Sequence, residues 1–226
     1  MNVIYPETPM PHHLPPAAPT PIDFRATSLR ALLYIVLIGL LMQGVMVEAL
    51  SLEGQKFSER GFIEPAQSLL LAGSAGLALY VRLTSPRLAH VSLLLLALPL
   101  ASLIREQDAW LDAWVFDGAW QALVALLVLP ILFAVIRSRH AFAREFERYA
   151  NSFSFGLFAA GFLTTYVYSR LFGRSEMWQA ILGEAYLRTF KDAAEEVTEL
   201  FGYTLLFIAM IELVLLVRRW RRLNAD

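Results

Sequence analysis

Cysteine is absent from this 226-residue chain, which excludes disulfides, thiol catalysis and thiolate metal sites. Charge is scarce too. Only 17% of the residues are Asp, Glu, Lys or Arg, and 57% are hydrophobic. Soluble domains average about 25% charged residues, so this composition suits lipid as solvent. Lysine is nearly missing: Lys56 and Lys191 stand beside seventeen arginines. A net charge of −1 is too balanced for nucleic acid as a partner. The four histidines, His12, His13, His90 and His140, are scattered, whereas a zinc site needs such ligands to converge.

Proline is unevenly spread. Seven of the eleven fall in residues 1–28, a polar stretch with neither helical nor alternating period, which predicts a disordered Pro-rich tail. His12-His13 lies within it and reads as solvated.

Six nearly uncharged runs follow: Ala31–Val47, Pro65–Val81, Leu88–Ile104, Gly118–Ile136, Tyr149–Ser169 and Leu200–Val217. Each holds 17 to 21 residues, close to the roughly 20 that cross a bilayer as a helix. Pro99 and Pro130 lie inside two of them, which membrane helices tolerate. The expectation is an all-α, polytopic transmembrane bundle of six spans over residues 29–222, with a short tail at 223–226. Four or five spans result if Leu88–Ile104 only dips. The first run is expected to be retained rather than cleaved, because about thirty Pro-rich residues precede an apolar stretch longer than a leader's.

Basic residues set the orientation. With the N-terminus inside, 12 of the 19 fall on the inner side, including Arg82, Arg87, Arg137, Arg139, Arg144, Arg148 and the last group from Arg218 to Arg222. Both termini are then cytoplasmic, in a bacterial inner membrane. The acids run the other way, with 14 of 20 on the outer side. The lipid bilayer is the first partner, and a membrane or periplasmic protein partner is the second.

Small residues predict contact faces: Gly73 and Gly76 in the second run, Ser152, Ser154, Gly156, Ala159, Ala160 and Gly161 in the fifth. Glu176–Asp192 reads as an outer amphipathic helix before the last span, with Met177, Trp178, Ile181, Leu182, Ala185, Tyr186 and Phe190 on one face. From Glu184 to Arg222 the chain reads as one long helix. Trp110, Trp114 and Trp120 suit an interfacial belt.

The candidate site comes from charges that lack local partners. Glu64 before Pro65, with Gln67 three residues on, resembles a capping box, and Asp117 precedes the fourth span in the same way. Glu48, Glu106 and Asp108 sit where span C-termini disfavour negative charge. Local i,i+4 pairing absorbs Glu184 with Arg188, Arg188 with Asp192, and Lys191 with Glu195. Glu196 and Glu199 have no cation three or four residues away. Arg105 is the expected partner of Glu199 from another helix, with Glu64 or Gln67 completing the cluster. Glu64, Gln67, Arg105, Glu106, Asp108, Glu196 and Glu199 therefore form the candidate polar cluster at the outer mouth. The acids among them, with Glu195, are oxygen donors of the kind Ca²⁺ or Mg²⁺ takes, but no fixed loop spacing supports a metal site. Glu212 is an intramembrane carboxylate, expected to snorkel inward or to pair with an inner arginine between Arg82 and Arg148.

Three pieces, GFIEPAQSLLL (61–71), REQD (105–108) and EEVTELFGYTLL (195–206), are similar to patterns in prokaryotic polytopic membrane proteins with acids at span starts. That resemblance implies a helical membrane fold and no particular activity. Glu64 and Gln67 also resemble the Glu–amide pair of alkaline ceramidase-like hydrolases. The metal-binding histidines of that pattern are missing, since His90 and His140 fall on the inner side.

The functional expectation is a structural or partner-docking membrane protein. The alternative is a transporter or carboxylate-metal enzyme whose outward-facing site is lined by the same acids.

Overall fold

The computed structural model describes residues 23–51 and 61–223, and every regular element among them is helical. The expected tail up to residue 22, His12 and His13, the acids Glu53 and Glu59, and residues 224–226 lie outside the described residues.

Helix α1 (Phe24–Ser51) starts several residues before its apolar run, because the Asp23 carboxylate accepts from Ala26 N–H at 3.2 Å and caps it. Helices α2 (Ile63–Thr84) and α3 (Ala89–Arg105) form an antiparallel pair, joined through the short 3₁₀ turn Pro86–Leu88. A short α4 (Asp108–Trp114) leads to α5 (Ala119–Arg137), α6 (Arg139–Ala150) and α7 (Phe153–Leu163). A π-helical turn, Thr164–Tyr168, continues α7 into α8 (Ser169–Phe172). Then come α9 (Ser175–Leu182) and the 35-residue α10 (Arg188–Arg222). Five helices are long and apolar enough to cross a membrane: α1, α2, α3 with its leading turn, α5 and α10. The fifth apolar run is a composite of α7, the π turn and α8, continuous from Phe153 to Phe172.

Helix α10 is the central post. It packs against α2 and against α7, and α3 closes on α2 from the other side. One buried cluster joins Ala78, Val81, Leu88, Val91, Leu95, Leu213 and Val217, and a second joins Ile63, Leu70, Leu71, Leu200, Tyr203 and Leu206. Helices α1 and α5 are peripheral, with Leu33, Ile35, Leu40, Leu126, Leu129 and Phe133 exposed. Such exposure is compatible with a membrane protein, since lipid tails are as apolar as these side chains.

The close approach of α7 to α10 has a local cause. A Cβ on Gly161 would stand 2.9 Å from the Gly202 carbonyl oxygen and the Leu206 nitrogen, so only glycine allows this separation. Ser154 Oγ donates to the Ala209 carbonyl at 2.8 Å on the same seam. Gly73 faces Phe207 of α10, whereas Gly76 and Gly156 have open space around them and are not contact residues.

Glu176–Asp192 is not one helix, and the last helix does not reach back to Glu184. Gly183 adopts φ +54° after α9, a 3₁₀ turn covers Gly183–Ala185, and Tyr186 and Leu187 are extended. Glycine adopts a positive φ at the least cost of any residue, so the helix ends here and the apolar face read across this stretch is broken at Gly183.

Candidate functional site

The bundle has two polar ends. One lies where α2 and α10 begin and α3 stops; the other lies where α3 begins and α6 crosses below it.

At the first end, Lys191, Glu195, Glu199 and Tyr203 share one face of α10 through their four-residue spacing, with Glu196 beside them. Glu199 is 2% exposed, and both of its carboxylate oxygens are engaged. Arg105 Nη2 donates to Oε2 at 3.1 Å, and Arg170 Nη2 lies 2.6 Å from Oε1. A buried carboxylate is costly unless it is paired and hydrogen-bonded. Two guanidiniums reaching in from the rim, each about a third or more exposed, meet that requirement.

From Glu199 the network extends both ways. Arg105 also donates to Glu106 at 2.7 Å, and the Tyr203 hydroxyl donates to the same Glu106 oxygen at 3.0 Å. Arg170 also pairs with Glu195, which receives Lys191 at 2.7 Å. The fully buried Gln67 of α2 donates to the Glu196 carboxylate at 3.1 Å and to the Glu196 carbonyl at 3.3 Å. Next to this, Ser102 and Tyr166 hydroxyls meet at 2.5 Å between α3 and the π turn. Four carboxylates thus face three cations. Glu196 is the one whose side-chain partner is a neutral amide.

Arg105, Glu106, Gln67, Glu196 and Glu199 therefore come together. One expected member stands apart. Asp108 is exposed in the first turn of α4, where the helix dipole favours it, and accepts from the Ala109 amide at 2.6 Å. Glu64 sits half-buried in the first turn of α2, and the expected capping box does not form because Gln67 turns inward to α10. The cap of α2 is instead Glu48, whose Oε2 accepts from Phe62 and Ile63 amides at 2.8 and 3.1 Å. Asp117 does not cap α5 either. Gly118 precedes that helix at φ +87°, and its amide donates to Asp112 at 3.1 Å.

Arg170 is the member that sequence reading missed. Its signal was its position, directly after an apolar run and level with two unpaired carboxylates. The π turn decides its direction. By adding a residue to one turn it rotates the segment beyond, so that Ser169, which donates to the Thr165 carbonyl, and Arg170 both face α10.

Local pairing of Arg188 with Asp192, at 3.8 Å, and of Lys191 with Glu195 is present. Glu184 lies on the 3₁₀ turn outside α10, so helical spacing no longer relates it to Arg188.

At the second end, Glu212 is paired, though not with an arginine between Arg82 and Arg148. Arg30 of α1 donates at 2.7 Å and the Tyr34 hydroxyl at 2.6 Å. Glu145 of α6 caps α3, accepting from His90 and Val91 amides at 2.6 and 3.1 Å, with His90 Nδ1 at 2.8 Å. His90 is thus committed to a helix cap and stands at the opposite end from Glu64 and Gln67. Arg218 lies over the Tyr80 ring at 5.4 Å.

Among the described residues no three acidic or histidine side chains form a group that could hold a metal ion. Of the acids expected as oxygen donors, Glu106, Glu195, Glu196 and Glu199 are turned toward arginine, lysine, tyrosine and glutamine. No known protein-family model matches the chain, and no curated protein or solved structure matches it.

Proposed function

We propose that the chain is a six-span protein of the bacterial inner membrane, both termini cytoplasmic, in which the outer polar cluster is a structural clasp. The clasp holds α10 to α2, α3 and α8 and leaves an acidic outer face for a membrane or periplasmic protein partner. The observation that carries this reading is Glu199, buried and held by Arg105 and Arg170 from two different helices. An ion-paired carboxylate of this kind fixes the register of packed helices. A transport site needs charges that a passing ion can reach, and a metal enzyme needs free donors.

Six crossings are supported by the five long apolar helices together with the Phe153–Phe172 run. That composite rises about 30 Å at 1.5 Å per residue, the thickness of a hydrocarbon core. Helix α10 rises about 52 Å on the same basis, so its charged first third extends beyond the core.

The Cys-free background allows a direct test. Single cysteines at Gln107 and Arg174 should react with an impermeant thiol reagent from outside intact cells; those at Arg87 and Arg144 should not. Labelling at Gln107 that divalent cations leave unchanged fits the clasp. Protection by millimolar Ca²⁺ or Mg²⁺ would favour a metal site instead, and the reverse labelling pattern would overturn the orientation.

A further inference from the structure

A slot of about 400 Å³ runs along α3 between α5 and α7, closed at one end by α6. It exists because α5 packs on α3 whereas α7 packs on α10, so the two outer helices diverge. Leu94 and Leu98 of α3 form its floor, Val128 of α5 one wall, Phe158 and Phe162 of α7 the other, and Phe146 of α6 its end. From Val91 to Ala101 the floor follows α3 for about 15 Å. A slot of that volume and length is narrower than the 10–12 Å of a helix with its side chains. One hydrocarbon chain matches it.

The helix that closes the slot is cationic on its other faces. Arg139, His140, Arg144 and Arg148 of α6 are exposed, as is Arg137 at the adjoining end of α5. Of the two acids on α6, Glu145 is buried and spent on capping α3, which leaves Glu147 as the exposed counter-charge. Long arginines at a helix end reach the interface while their stems lie along apolar surface, and guanidinium binds phosphate oxygens in pairs.

We propose that this slot seats one acyl chain of an anionic membrane phospholipid, with its phosphate held by Arg137 and Arg139 at the corner between α5 and α6. The proposal rests on the membrane reading above and adds a ligand at the end of the bundle opposite the clasp. A bound lipid there would fill the gap between α5 and α7 and tie the peripheral α5 to the core.

The test uses the full chain purified in detergent, with native mass spectrometry after adding phosphatidylglycerol or phosphatidylcholine of identical acyl chains. Phosphatidylglycerol adducts should survive collisional activation that strips phosphatidylcholine. The pair Arg137→Gln and Arg139→Gln should weaken phosphatidylglycerol binding by about fivefold per arginine and remove the headgroup preference. Ala101→Leu and, separately, Leu94→Phe narrow the slot and should remove both lipids, while Arg174→Gln at the opposite end should change nothing. Equal retention of the two lipids by the unaltered chain overturns the proposal, as does phosphatidylglycerol binding that survives the slot-filling variants. A dimer mass in place of lipid adducts also overturns it. A chain that stays soluble without detergent overturns the membrane reading itself, a separate and recognisable failure.

Discussion

Arg170 Nη2 and Glu199 Oε1 stand 2.6 Å apart, and the same carboxylate meets Arg105 through its other oxygen at 3.1 Å. One buried acid thus has two guanidiniums from two helices, and either one alone leaves it paired.

That redundancy gives the first prediction. Arg105→Ala and Arg170→Ala should each cost about 1–2 kcal/mol, since one cation remains and both arginines are partly exposed. The double variant should exceed their sum by about 1–3 kcal/mol, because Glu199 is then buried without a cation. Adding Glu199→Gln to the double variant should recover much of the loss. Unfolding midpoints in mild detergent measure all four chains; strict additivity would sink the clasp.

The second concerns Glu48, which caps α2 from α1. Glu48→Ala should cost about 0.5–2 kcal/mol, the usual range for a lost helix N-cap. A Cβ on Gly61 would meet the Glu48 carboxylate, so Gly61→Ala should displace the same cap. The two substitutions together should then cost little more than the worse one, read from the same midpoints.

Glycine substitutions provide the third. Gly161→Ala forces α7 away from the backbone of α10 and should cost about 1–3 kcal/mol. Gly76→Ala and Gly156→Ala meet nothing within 4 Å, so the gain in helix propensity should leave them neutral or up to about 1 kcal/mol more stable. Thermal denaturation of the three variants separates contact glycines from bystanders.

The fourth tests the tie at the second polar end. Glu212 holds Arg30 and Tyr34, and α1 otherwise contacts the bundle sparsely. Glu212→Gln should raise hydrogen exchange at the Arg30 end of α1 while α2 and α3 keep their protection. Equal loosening of all three helices would mean that Glu212 supports the core as a whole.

The sequence carried the helical class because apolar runs near twenty residues, poor in charge, satisfy their backbone in lipid only as helices. It also carried Arg105 with Glu199. A carboxylate at the edge of an apolar run needs a cation, and the arginine at the same level on another run was the nearest candidate. Glu196 was legible on the same ground, and Gln67 as one of two residues, with Glu64, expected to complete the cluster. The caps were not. Glu48 and Glu145 accept from capping amides fourteen and fifty-five residues away in the chain, so nothing local identifies them. Glu64 with Gln67 had the spacing of a local cap, yet the Gln67 amide donates to Glu196 across the interface instead.

The sequence by itself determined an all-helical chain, the apolar runs suited to lipid, and which carboxylates lacked a local partner. Charge scarcity and four-residue spacing are properties of the chain, and they need no fold to be read. Arg105 aside, tertiary structure alone decided which cations answered those carboxylates. The π turn after α7 aims Arg170, the glycine seam sets how closely α7 approaches α10, and α1 carries Arg30 to Glu212. Each depends on the rotation and separation of neighbouring helices, which a run of apolar residues leaves open.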